Sequence, residues 1–155
     1  MVASPLLLRT IGLKFARSVL DKRLDPEQKL WREVVINAFD ETLITSSDRK
    51  PSLIKIAAHN WIIGESDDFR KVCEWGTLDP EDMKQCYIRA LQRRAVTFTQ
   101  RQIAWQKYDS LYRNMTREPL KEIKKIKRKK VDSYRDKVNQ IPTTLISSIV
   151  ISVLV

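Results

Sequence analysis

Glycine is scarce, at three residues in 155, and the chain has one histidine and two cysteines. So few glycines cannot furnish a phosphate-cradling loop. No acidic metal motif recurs and no nucleophile stands beside a matching base, so the sequence predicts a non-enzyme with no cofactor. His59, Cys73 and Cys86 cannot supply zinc ligands at a usual spacing, so no metal is expected. Both cysteines fall on predicted buried helix faces, which reads as reduced core thiols in a reducing compartment rather than a disulfide. No alternating run of Val, Ile or Thr lies between Asp25 and Met115, so a sheet has little to build from. The fold is predicted all-α, a compact helical domain with a basic C-terminal extension.

Charge of one sign is abundant. The chain carries +10, and residues 119–140 hold nine bases against three acids, a net of +6. Such a balance favours an anionic partner, nucleic acid or an acidic membrane surface. With 43% hydrophobic residues, the chain can bury one core.

Four stretches follow from composition. Residues 1–24 form a basic amphipathic segment, with Arg9, Lys14 and Arg17 among Leu6, Leu7, Leu8, Ile11, Leu13, Phe15, Val19 and Leu20. It fits a packed helix, a surface anchor or an organellar transit sequence. Residues 25–117 form the helical domain. Asp25-Pro26-Glu27-Gln28 opens a helix to about Ile44, with an inner stripe of Leu30, Val34, Val35, Ala38 and Leu43, broadened by Trp31 and Phe39. Pro51 opens a second helix ending at Gly64, on whose flank His59 is structural or exposed rather than catalytic. Thr99 and Gln102 start a helix with Ala104, Tyr108, Leu111 and Met115 in register. That spacing suits a helix hairpin or self-association through 98–115. Residues 118–140 read as a basic extension, a solvated tail by default with a helix as the other option. Residues 141–155 turn apolar, but Pro142 and five hydroxyl residues leave them short of the roughly 20 residues of a spanning helix. An edge strand or a partner-bound segment fits them as well.

Residues 66–93 read as a helix-turn-helix-like pair. Ser66 caps a helix with Phe69, Val72 and Cys73 inside, and Gly76 is placed where a left-handed terminal residue is expected. Asp79 and Pro80 open the next helix, to about Arg93, with Met83, Cys86 or Tyr87, Ala90 and Leu91 inward. The groups Asp68-Phe69, Val72-Cys73 and Leu78-Asp79-Pro80, with Ala57, Ala58, Trp61 and Leu30-Trp31-Arg32-Glu33-Val34 upstream, resemble a pattern in small helical proteins of tailed phages and prophages. The resemblance covers about residues 28–93. It departs at Gly76-Thr77, where the family has Ala-Gly. It implies a helical fold and a DNA-related role, such as regulation or small-terminase-like recognition of a packaging site.

Double-stranded DNA is therefore the expected partner. Lys84, Gln85 and Arg89 are the candidate base or backbone contacts and Arg93 and Arg94 the phosphate contacts, because guanidinium grips phosphate or guanine and Gln pairs with adenine. Lys124, Lys125, Lys127, Arg128, Lys129 and Lys130 would add nonspecific, salt-sensitive affinity. Glu81 and Asp82 oppose this reading but suit the positive end of the helix. Two alternatives stand beside it: a helical protein-interaction or scaffolding module, and a membrane-associated protein using the basic and apolar C-terminus. The expected location is intracellular, in the cytoplasm, a virion or a host nucleoid, with organellar targeting left open by residues 1–24.

Overall fold

A computed structural model describes residues 23–64 and 66–155, so most of the basic N-terminal segment lies outside the described residues. The fold is all-α. Its helices are α1 Pro26–Glu41, α2 Arg49–Ile63, α3 Asp67–Trp75, α4 Pro80–Gln92, α5 Gln100–Arg117 and α6 Lys121–Gln140. Among the described residues there is no strand and no helix long and apolar enough to cross a membrane.

The two capping boxes form as expected. Asp25 accepts from the Gln28 amide at 2.8 Å and the Gln28 side chain accepts from the Asp25 amide at 3.2 Å. Thr99 and Gln102 make the same reciprocal pair at 3.1 and 2.9 Å. Each satisfies two amides that a helix start would otherwise leave unbonded.

The inner face of α1 differs from expectation. Val35, Ile36, Ala38 and Phe39 are buried, but Leu30 and Val34 are exposed and Arg32 is buried in their place. The turn that follows α3 meets α1 at Arg32, so the apolar stripe alone misplaces it. Helix α1 also stops at Glu41, capped by Thr42, three residues short of Ile44. Helix α2 starts at Arg49, which leaves Pro51 in a first turn where its missing N–H has no partner to lose.

Two apolar clusters result. The first joins Val35, Phe39, Ile56, Ile62, Phe69, Met83, Tyr87 and Leu91 across α1 to α4. Cys73 and Cys86 are buried in it as free thiols, and burial with the nearby Asp79 and Glu74 charges pushes the Cys73 thiol up to about 12. The second cluster is an α5–α6 hairpin, in which Trp105, Tyr108 and Met115 meet Val131 and Val138. The stripe expected to support self-association is thus covered from within the chain, by α6 and α2.

Residues 118–140 are therefore not a solvated tail. Val131 and Val138, seven residues apart and two turns of helix, dock a 20-residue helix whose other faces carry the charge.

Residues 141–155 return along the body as an extended strap, the edge-like alternative to a membrane segment. Ser147 donates to Phe98 O and Gln100 to Leu145 O, both at 2.8 Å. Asn60 grips Leu154 through both its amide groups, at 2.8 and 2.7 Å. His59 is wholly buried. Its Nε2 lies 2.9 Å from Ser152 O and its Nδ1 2.6 Å from Tyr87 Oη. A carbonyl only accepts, so Nε2 carries the proton and the Tyr87 hydroxyl donates to Nδ1. The one histidine is structural, and it ties α2, α4 and the strap together.

Candidate nucleic-acid interface

The α3–α4 connection is set by a left-handed residue, but that residue is Thr77 rather than Gly76. Thr77 has φ 55°, whereas Gly76 has φ −86°. Leu78 N–H reaches Cys73 O at 2.8 Å and Thr77 N–H reaches Glu74 O at 3.0 Å, the paired bonds that close a helix on a left-handed residue. A glycine at this position would carry no Cβ penalty.

Gly76 instead makes a close approach to α1. A Cβ there would lie 3.1 Å from both the backbone nitrogen and Cγ of Arg32. Arg32 Nε donates to Gly76 O at 2.5 Å, and Nη2 donates to Thr77 Oγ1 at 2.9 Å and Thr77 O at 3.3 Å. One buried guanidinium thereby holds the turn against α1. Gly76→Ala is expected to lower stability by about 1 to 3 kcal/mol in urea unfolding, because backbone atoms cannot yield as a flexible side-chain end can.

Asp79 accepts from the Glu81 and Asp82 amides, at 2.9 and 3.4 Å, and Pro80 occupies the first position of α4. The predicted stripe of Met83, Cys86, Tyr87, Ala90 and Leu91 is buried. The opposite face therefore turns outward: Gln85, Arg89, Arg93 and Arg94 are exposed and Lys84 is half-buried. Lys84 sits beside Ile62 of α2 and Phe69 and Arg70 of α3. Gln85 donates to Glu81 at 3.0 Å, and Arg89 Nη2 lies 3.4 Å from Cys86 Sγ.

Helix α4 also ends on a left-handed residue, Arg94, with φ 61°. Arg94 N–H bonds Leu91 O at 3.1 Å and Ala95 N–H bonds Ala90 O at 2.9 Å. Arg94→Gly is expected to stabilise the fold by about 1 kcal/mol in the same unfolding assay, by removing the left-handed penalty of a Cβ.

The basic run lies on α6, which packs on α5, whereas α4 packs on α2 and α3. Lys125, Arg128, Lys129 and Lys130 are exposed, as is the neighbouring Lys121, and Lys124 is half-buried. Lys127 is different. Its ammonium is held by Glu118 at 2.7 Å and Asn114 at 2.8 Å, which binds the two helices of the hairpin. The same contact holds the Glu118 carboxyl below the usual carboxylate range. Lys127 is thus a hairpin clasp, already neutralised.

Sequence reasoning missed the basic side chains outside the run. Arg113, Arg117 and Lys127 line a polar cavity of about 430 Å³ with Ser110, Asn114 and Glu118 at the α5–α6 elbow. Arg113 is paired with Asp109 at 3.0 Å, and Arg117 is exposed. No sequence signal joins them to α6, because only the hairpin turn brings the end of α5 beside Lys127. Among the described residues no cluster of His, Cys, Asp and Glu could hold a metal ion. Comparison with protein-family models, curated proteins and solved structures finds no match.

Proposed function

We propose that the chain binds double-stranded DNA, with α3 and α4 acting as a helix-turn-helix unit and α6 adding phosphate contacts. The observation that supports it most is the exposure of Gln85 and Arg89 on α4 and of Arg93 and Arg94 just past its end, while Asp79 and the buried stripe fix the helix behind them. The carboxylates Asp79, Glu81 and Asp82 repel phosphate at the start of α4, and Glu81 already holds the Gln85 amide. Approach is therefore made by the second half of α4, with Arg89 nearest the bases and Arg93 and Arg94 at the backbone. Cations contribute sequence-independent affinity, and Arg89 contributes discrimination. The resemblance to small phage and prophage proteins supports a regulator or a small-terminase-like role for this unit.

Selection of bound duplexes from a random library at physiological salt tests the reading. Enrichment of a common sequence, lost in Arg89→Gln, is the expected result. Binding without any enriched sequence would leave only phosphate contact, and no binding would remove the reading.

A protein-interaction role has one observation in its favour. Ile149, Ile151 and Val153 alternate along the strap and are each about half exposed, at 45%, 43% and 43%. Light scattering in dilute buffer tests it: a partnerless monomer leaves this face as ordinary surface.

A further inference from the structure

Lys55 is the most heavily buried charged side chain among the described residues, at 3% exposure. Its ammonium donates to Thr97 O and to Gln102 Oε1, the latter at 3.1 Å, and lies 4.6 Å from the centre of the Phe98 ring. Both bonded acceptors are neutral. No carboxylate pairs with it among the described residues. Removing a charge from water without a counter-charge is unfavourable, and burial accordingly lowers the Lys55 pKa to about 8.

Beside this ammonium lies a cavity of about 140 Å³, between the turn after α1 and the segment leaving α4. Thr42, Thr45, Thr97 and Thr99 line it, with Lys55 and Gln102. The Thr45 and Thr97 hydroxyls make no hydrogen bond to other described residues. Gln102 fixes the walls: its Nε2 donates to Ile44 O at 3.2 Å and Ser46 O at 2.9 Å, and its Oε1 accepts from Thr99. The volume corresponds to roughly four waters, the size of an anion with a few heavy atoms.

We propose that this cavity binds a small oxyanion, a carboxylate or inorganic phosphate, whose charge faces the Lys55 ammonium and whose oxygens accept from the Thr45 and Thr97 hydroxyls. None of the cations assigned to DNA contact lines the site, and it does not depend on DNA binding. A bound anion would link the two loops and supply the counter-charge that the described residues lack.

The test follows the Lys55 side-chain carbon resonance of the uniformly labelled full chain through a pH titration. One arm contains chloride alone, one acetate and one phosphate, at constant ionic strength. In chloride the resonance is expected to titrate near pH 8. In the arm whose anion binds, the midpoint moves to higher pH, because a bound negative charge favours the ammonium. A shift in acetate alone identifies a carboxylate site, in phosphate alone a phosphate site, and in both a general oxyanion site. A midpoint unchanged by either anion would overturn the proposal. As a second readout, the thermal midpoint rises with anion concentration in the native protein and not in Lys55→Met. If that variant does not fold, the native titration decides alone.

Discussion

Replacing Lys121, Lys124, Lys125, Arg128, Lys129 and Lys130 by glutamine is expected to collapse the salt dependence of duplex binding. With about eight phosphate contacts, these six plus Arg93 and Arg94, at roughly 0.9 counterions each, native affinity should fall about 10⁴-fold between 50 and 200 mM salt. The substituted chain should lose about 5 from its slope of log affinity against log salt. Lys127 is omitted because Glu118 already pairs with it, so Lys127→Gln should leave the slope nearly unchanged. Five of the six side chains are exposed, and Lys124, half-buried seven residues before Val131 on the docking face, is replaced by a side chain of similar reach, so the hairpin should survive the change. Circular dichroism checks that it does. An unaltered slope with a folded variant would exclude α6 from the interface.

The second large effect concerns stability. His59→Ala is expected to reduce unfolding free energy by about 3 kcal/mol, because it opens a cavity at a fully buried site and strands both the Tyr87 hydroxyl and Ser152 O. His59 also carries a pH signature. Burial, with the Lys55 charge nearby, lowers its pKa below the ordinary 6.5, against a weaker raising effect of the Ser152 bond. A histidine whose folded pKa is depressed binds more protons when unfolded. Its neutral form is therefore fully stabilising above about 6.5, and that contribution is lost as pH falls below this value. Urea midpoints of the native chain should fall over that interval. The fall should be shallower in His59→Ala, whose unfolded state has no imidazole to protonate.

Much of the helical outline was legible from the sequence because its signals are local. The Asp25 and Thr99 capping boxes, Pro80 after Asp79, and the Met83 to Leu91 stripe each lie within one helix and need no distant partner. What was not legible depends on contacts across the chain. Arg32 is buried because the Gly76 and Thr77 carbonyls wait for it 44 and 45 residues away, and that displaces Leu30 and Val34 outward. The left-handed turn residue is Thr77 because close approach to Arg32 reserves Gly76 for another purpose. The charge of α6 conceals a sparse docking seam of two valines seven residues apart, too thin a pattern to distinguish from a solvated helix. The same limit holds at the candidate site: residue types on α4 and α6 were readable, but the pairing of Lys127 with Asn114 and Glu118 was not.

The most direct test of the proposed interface is a set of amide and side-chain NMR spectra of the labelled full chain, recorded as a 16-base-pair duplex is added at 100 mM salt. Perturbations are predicted on the outer face of α4, at Gln85, Arg89, Arg93 and Arg94, and along Lys121 to Lys130 of α6, with Met83 and Tyr87 little changed. Spectra that stay constant throughout, or that change only along residues 145–155, would contradict a DNA-binding surface built on these two helices.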